Sequence, residues 1–154
     1  MDAALTYLAY RPRTRHEVRR KLEERGFDAT AVVACLERLA ELDLVNDEAF
    51  VALYVRDRVA HRPMGVRRLV DELYRKGVDR QRSEPIIARV LEEEEVDELG
   101  LAERAAERGA RRLRPGDDAA SRRRRLQAFL ARRGFRPDVI RTVVDRRLPP
   151  SGYP

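Results

Sequence analysis

A repeat of about fifty residues is the feature that most constrains this chain of 154 residues. One pattern occurs three times: two apolar residues lie four positions apart, a glycine follows four positions later, and another apolar residue comes directly after the glycine. The three glycines are Gly26, Gly77 and Gly134. Apolar residues four apart lie on one helix face, and a glycine can adopt the left-handed conformation that ends a helix. An apolar helical segment follows each glycine. The repeat therefore predicts three tandem units, each with a glycine turn between its second and third helices.

The expected fold class is all-α, with nine helices and no strands, because alternating β-branched and aromatic residues are almost absent. The predicted helices cover residues 3–10, 14–25, 29–42, 47–61, 64–76, 82–95, 97–113, 118–133 and 137–147. They group three to a repeat. The predicted domains are the three-helix repeats 1–43, 44–95 and 96–154.

Capping residues and helix breakers support these boundaries. Thr14 and Glu17 have the spacing of a capping box. Asn46 or Asp47 can cap the fourth helix. We expect Pro85 near the start of its helix, where a missing N–H is tolerated. Asp117 or Asp118 can cap the eighth helix. The predicted structural residues are Thr14, Glu17, Gly26, Asp47, Gly77 and Gly134, together with the apolar residues after the glycines, Phe27, Val78 and Phe135.

Positive charge is concentrated in the third repeat. The chain has a net charge of +6 from 33 basic and 27 acidic residues. By repeat, the net charges are 0, −1 and +7. A basic region suits a polyanion or an acidic protein surface, whereas a solvated, arginine-rich helix surface is the alternative for any single arginine.

No constellation for catalysis is evident in the sequence. The chain has neither a glycine-rich phosphate loop nor an HExxH motif, and His16 and His61 are far apart. Cys35 is the only cysteine and is expected to be a small core residue. We therefore predict a protein that is not an enzyme and needs no cofactor or metal. The N-terminus lacks a signal peptide and no apolar run reaches the ~20 residues of a membrane span, so a cytoplasmic location is expected.

Two segments resemble the RecX family. The first runs from Leu5 to Phe27 and contains the first glycine motif. The second runs from residue 44 to residue 78, and its matching residues are Asp47, Glu48, Phe50, Tyr54, Arg58, Gly65, Leu69, Glu72, Leu73, Lys76, Gly77 and Val78. Asn46 stands where the family often has an acidic residue. Residues 96–154 match weakly, as a third repeat would.

The resemblance implies a specific fold and function. RecX-like proteins are elongated, curved arrays of three-helix repeats that bind RecA in the groove of its filament on single-stranded DNA. They restrain filament growth, ATP hydrolysis and strand exchange, and so modulate DNA repair, recombination and the SOS response. By this resemblance we expect a monomer whose partner is the RecA filament, with contact to single-stranded DNA and none to membranes. A stand-alone helical nucleic-acid-binding module is the alternative.

Two sets of side chains are candidates for these contacts, since tyrosine and arginine are common interface anchors and arginine binds phosphate. The predicted partner-binding residues are Tyr54, Arg56, Arg58, Arg62, Gly65, Arg67 and Arg68. The predicted DNA-binding residues are Arg122, Arg123, Arg125, Arg132 and Arg133. For Tyr54 a place at the edge of the core is the alternative, and for Asp47 a helix cap is favoured over a contact.

Overall fold

The computed structural model describes residues 1–150, and this part of the chain contains nine α-helices and no strands. The all-α prediction is therefore confirmed. The helices are α1 (Asp2–Leu8), α2 (Arg15–Glu24), α3 (Ala29–Glu41), α4 (Asp47–His61), α5 (Val66–Arg75), α6 (Arg80–Glu93), α7 (Glu98–Ala110), α8 (Ala119–Arg132) and α9 (Pro137–Arg147).

The position of Pro85 differs from the prediction. Helix α6 begins at Arg80, so Pro85 is its sixth residue and lies inside the helix. The helix begins early because Asp79 caps it, its carboxylate accepting from the backbone N–H of Arg82 at 2.9 Å. The expectation that Pro85 occupies the unpaired first turn is therefore wrong.

The structure shows which residue of each alternative pair, Asn46 or Asp47 and Asp117 or Asp118, caps its helix. Asn46 caps α4 by accepting from the N–H of Ala49 at 3.0 Å, and Asp118 caps α8 by accepting from the N–H of Ser121 at 2.7 Å. Asp47 instead accepts from the N–H of Arg15 at 2.8 Å. Arg15 is the first residue of α2, so the Asp47 carboxylate satisfies a donor at the start of a different helix.

The described chain divides into two compact units. Unit 1 comprises Met1–Tyr54 and Val70–Ile86, and unit 2 comprises Val55–Leu69 and the chain from Ile87 onward. Helices α4, α5 and α6 each supply residues to both units. The buried residues of α5, Leu69, Val70 and Leu73, have the spacing of a single helix face. The repeat boundaries after residues 43 and 95 remain predictions.

Each unit has an apolar core. In unit 1, α2 packs on α1 and α3, and the half-buried Cys35 packs against the core formed by Ala4, Val18, Leu22, Val32, Leu36, Leu39 and Val45. In unit 2, α7, α8 and α9 pack on one another. Their buried residues include Leu101, Ala105, Leu126, Leu130, Val139, Val143 and Val144.

The three turn glycines adopt the left-handed conformation, with φ of 86° at Gly26 and Gly77 and 79° at Gly134. After each glycine, the next backbone N–H bonds back to the preceding helix, which is the expected stop. The apolar residues that follow differ. Val78 and Phe135 are buried, but Phe27 is 46% exposed. The Gly26 turn is also the open one of the three, because no atom lies within 4 Å of a Cβ built on Gly26.

At the other two turns, those of Gly77 and Gly134, the start of another helix of the same unit packs against the glycine. In unit 1 the Thr14 hydroxyl donates to the carbonyl of Lys76 at 2.5 Å, and His16 lies against Gly77. In unit 2 the N–H of Gly65 donates to the carbonyl of Arg133 at 2.8 Å. We call these two contacts the glycine-turn junctions.

Candidate functional site

Tyr54 belongs to unit 1 and is held by its neighbours there. Its hydroxyl donates to the Glu72 carboxylate, its ring stacks on Phe50 with centroids 6.0 Å apart, and the Lys76 ammonium lies 5.8 Å from its centroid. The other six predicted partner-binding residues belong to unit 2. Tyr54 thus has a place in the packing of unit 1, and its contact role remains a prediction.

Arg56 and Arg58 are engaged in ion pairs within unit 2. The Arg56 guanidinium lies 2.5 Å from Glu93 and 3.6 Å from Glu94, and that of Arg58 lies 2.8 Å from Asp57. A partner would have to compete with these carboxylates for the two guanidinium groups.

The segment from residue 62 to residue 68 contains the more available side chains. Arg62 and Arg67 are exposed, and neither forms an ion pair with a carboxylate in the part of the chain that the structure describes. Arg68 is half-buried and its guanidinium donates to the Arg132 carbonyl at the end of α8. Gly65 is buried, and a Cβ on it would overlap the Gly134 carbonyl, so its lack of a side chain permits the junction.

The predicted DNA-binding residues separate along α8. At the start of the helix, Arg123 pairs with Asp145 and donates to the Leu148 carbonyl, and Arg125 lies 2.9 Å from Asp117. Arg122 is half-buried. The arginines at the end, Arg132 and Arg133, have no carboxylate partner among the described residues. Arg123 and Arg125 are thus engaged within unit 2, whereas the charges of Arg132 and Arg133 are not compensated within the described residues.

Arg133 lies at the centre of a group of arginines in unit 2. Burial, followed by the charges of Arg62, Arg68, Arg112 and Arg108, lowers the pKa of the Arg133 guanidinium below its ordinary value. Every charge that contributes to this shift is positive. We call Arg62, Arg68, Arg108, Arg112 and Arg133 the arginine cluster.

Sequence reasoning missed two members of this cluster. Arg108 lies in the last turn of α7 and Arg112 shortly after it, where basic residues are usual because they favour a helix C-terminus. Nothing in the local sequence distinguishes them from neighbours such as Arg111. Their place in the cluster depends on contacts with distant residues: Arg108 bonds to the carbonyls of His61 and Ala60, 47 and 48 positions earlier, and Arg112 lies over the ring of Phe129.

Phe129 anchors part of the cluster. The guanidinium groups of Arg133 and Arg112 lie 5.1 Å and 6.0 Å from its ring centroid. The ring packs closely on Gly109 of α7, where a Cβ would lie 2.7 Å from the ring edge. Cation–π contacts of this kind restrict the directions that a guanidinium can take.

In residues 1–150 no group of three or more His, Cys, Asp or Glu side chains is arranged to hold a metal ion. Within the same residues, no helix has both the length and the apolar character needed to cross a membrane.

The helices and the arginine cluster define an all-helical protein of tandem three-helix domains with a basic surface in unit 2. The family models for the first, second and third three-helix domains of RecX match residues 1–39, 46–82 and 95–144. The chain belongs to the RecX family, and the resemblance seen in the sequence is confirmed.

Individual relatives agree with this assignment. The chain is 42% identical over 143 residues to a protein of Halorhodospira halophila named regulatory protein RecX, a match that covers 92% of this chain and 84% of the relative. It is 34% identical to the protein of that name from Pelodictyon phaeoclathratiforme, covering 94% and 86%. A crystal structure of RecX from Lactobacillus salivarius matches with a TM-score of 0.77 and 27% identity, covering 94% and 92%.

Proposed function

We propose that this chain binds the RecA filament on single-stranded DNA in the cytoplasm and inhibits filament growth, ATP hydrolysis and strand exchange. Inhibition is steric and allosteric, through capping or bridging of protomers, and no covalent bond is made or broken. The protein acts as a monomer without a cofactor. DNA repair and recombination are the processes that it modulates.

Membership in the RecX family carries this proposal. Family models for all three domains match in order, and the relatives are named regulatory proteins rather than enzymes. The all-helical fold is compatible with such a role, since arrays of helical repeats provide extended surfaces for partners.

The availability of the side chains ranks the predicted contacts. Arg67 and Arg62 are exposed and free of carboxylates in the described chain, so we assign them first to the filament. Arg56 is a weaker candidate because two glutamates already neutralise it. A partner carboxylate that replaced one of these exposed pairs would add little, since such pairs are each worth about 0–1 kcal/mol.

The proposal predicts that binding requires the assembled filament. Fluorescently labelled protein should bind RecA on single-stranded DNA with a nonhydrolysable nucleotide, and should bind far more weakly to RecA without DNA. Arg67→Glu should weaken filament binding about tenfold, as expected for a contact worth about 1.4 kcal/mol.

Arg19→Glu is the matched control. Arg19 is also exposed, lies on α2 in the first repeat and forms no ion pair in the described structure, so its reversal makes the same change in net charge. Equal weakening by both reversals would contradict a specific contact at Arg67. Equal affinity for filament and free RecA would contradict filament recognition.

A stand-alone nucleic-acid-binding module is the second candidate, and the arginine cluster favours it. Under this alternative, the protein would bind naked DNA as tightly as the filament and with a steep salt dependence. Competition between naked single-stranded DNA and the filament for the labelled protein separates the two functions.

A further inference from the structure

The arginine cluster combines five guanidinium groups from separate segments of unit 2. Arg62 lies between α4 and α5, Arg68 in α5, Arg108 at the end of α7, Arg112 beyond it and Arg133 at the end of α8. Arg62, Arg108, Arg112 and Arg133 make no ion pair with a carboxylate among residues 1–150. Like charges held together in this way repel one another until an anion neutralises them.

The equivalent place in unit 1 is neutralised. Lys76 precedes the turn glycine Gly77, as Arg133 precedes Gly134, and the carboxylate of Glu17 lies 3.6 Å from the Lys76 ammonium. Glu17 is three residues after Thr14, and Arg68 is three residues after Gly65. At these corresponding positions the sequence thus has a glutamate and a lysine in one junction and two arginines in the other, so the basic residues of unit 2 are not a consequence of the repeat.

Contacts inside unit 2 hold the cluster in place without an anion. The guanidinium of Arg108 is fixed by the carbonyls of Ala60 and His61, and that of Arg68 by the carbonyl of Arg132. Phe129 lies beside Arg112 and Arg133. Because these side chains are already ordered, a ligand does not bear the full entropic cost of ordering them.

We propose that the arginine cluster is a binding site for the phosphodiester backbone of a single strand of nucleic acid. The inference deepens the proposed function and rests on it for the identity of the strand, which is the single-stranded DNA of the filament. It also replaces part of the predicted DNA-binding set, since Arg123 and Arg125 are occupied by Asp145 and Asp117.

Phosphodiester is favoured over the carboxylates of an acidic protein for two reasons. Interfaces with nucleic acid are much more positively charged than those between proteins, where arginine is a common anchor but most other charged residues are depleted. Phosphate and carboxylate both accept paired hydrogen bonds from a guanidinium, but a strand supplies a series of phosphates to guanidinium groups on separate segments.

The test is the salt dependence of binding to a fluorescein-labelled oligothymidine, measured by anisotropy without RecA. Each phosphate contact on a single strand contributes about 0.7 to the slope of log K against log salt concentration. The variant R112Q/R133Q should lower the steepness of that slope by about 1.4 and weaken binding at least about tenfold at low salt. R62Q/R112Q removes two exposed side chains and should give the same loss with folding intact.

R141Q is the control for the loss of a positive charge elsewhere in unit 2, because Arg141 is exposed, lies on α9 and makes no ion pair in the described part of the chain; per charge removed, its effect is compared with half of that of a double variant. Unchanged binding by R141Q beside the losses above supports the site. An equal slope for the wild type and both double variants overturns it, as does an equal loss with R141Q. Competition by polyglutamate as strong as by unlabelled oligothymidine also overturns it, since the site would then be one for acidic protein. RecA is absent, so a failure of filament regulation leaves this result unaffected.

Discussion

The two units contain the same junction between a glycine turn and the start of a helix, but they build it with different chemistry. In unit 1 the bond to the residue before the glycine comes from a side chain, the hydroxyl of Thr14. In unit 2 it comes from a backbone N–H, that of Gly65. Both donors directly precede the first residue of their helices, α2 and α5. The position in the repeat thus specifies the contact, while the residue type determines how closely the backbones approach.

The two units also differ in net charge. Unit 1 has 12 basic and 14 acidic side chains, a net charge of −2, and unit 2 has 21 and 13, a net charge of +8. At the junction of unit 1, Glu17 completes the capping box of Thr14 and approaches Lys76. The Gly65 junction has no capping box, and Arg68 stands where Glu17 would be. The junction of unit 1 thus contains a carboxylate where that of unit 2 contains an arginine, which donates to the Arg132 carbonyl.

The largest effect on stability is expected from Gly65→Ala. The added methyl group would overlap the Gly134 carbonyl, which is backbone and cannot rotate away. We expect a loss of about 3 kcal/mol in the free energy of unfolding, measured by urea denaturation with circular dichroism. Gly116→Ala is the control, because nothing lies within 4 Å of a Cβ there. A loss below 1 kcal/mol for Gly65→Ala would mean that the junction of unit 2 can open without cost.

The turn glycines provide the next comparison. Gly77→Ala combines a left-handed backbone with overlap of the His16 side chain, and we expect it to cost about 2–3 kcal/mol. Gly26→Ala has the same φ but open space, so about 1 kcal/mol is expected. Differential scanning calorimetry of the two variants measures the difference. Equal losses would show that backbone strain alone accounts for both glycines.

Thr14→Ala should have a somewhat smaller effect than Gly77→Ala. It removes the hydroxyl that accepts from the N–H of Glu17 and donates to the carbonyl of Lys76, both at a fully buried position. We expect a loss of about 1–2 kcal/mol. Thr14→Ser retains the hydroxyl and should recover most of that stability in urea denaturation. If serine is no better than alanine, methyl packing rather than the hydroxyl supports the junction of unit 1.

The smallest effect is a stabilisation. Asp43 and Glu95 follow α3 and α6 in the left-handed region, with φ of 54° and 51°. Glycine accepts this conformation without strain, so Glu95→Gly should stabilise the protein by about 0.5–1 kcal/mol. Asp43→Gly should stabilise it less, because aspartate tolerates the conformation better than glutamate. Thermal melts compare the two, and destabilisation by Glu95→Gly would show that its side chain makes a needed contact.

The sequence predicts local features well because they depend on residues close along the chain. The glycine turns, the capping box of Thr14 and the nine helices follow from spacing and capping chemistry. The start of α6 was missed because Asp79 caps it upstream of Pro85. The use of Asp47 by α2 was missed because its partner, Arg15, is 32 residues away.

The candidate site was less predictable for the same reason. The sequence does not distinguish an arginine that pairs with a carboxylate from one that does not. Arg123 pairs with Asp145, whereas Arg133 has no carboxylate partner among the described residues. That difference depends on side chains from other helices. The prediction favours the start of α8 because four consecutive arginines, Arg122 to Arg125, are conspicuous in the sequence. The arginine cluster also includes Arg108 and Arg62, which do not belong to such a run.

Hydrolysis of ATP by RecA on single-stranded DNA, with this protein titrated from substoichiometric to stoichiometric amounts, tests the proposed regulation most directly. We expect the rate of hydrolysis to fall when far less than one protein is present per RecA protomer, without matching sequestration of the DNA. A small number of bound proteins suffices because capping or bridging at a few sites stops the growth of a whole filament. An unchanged rate at saturating protein, with RecA from the same source organism, would contradict regulation of the filament.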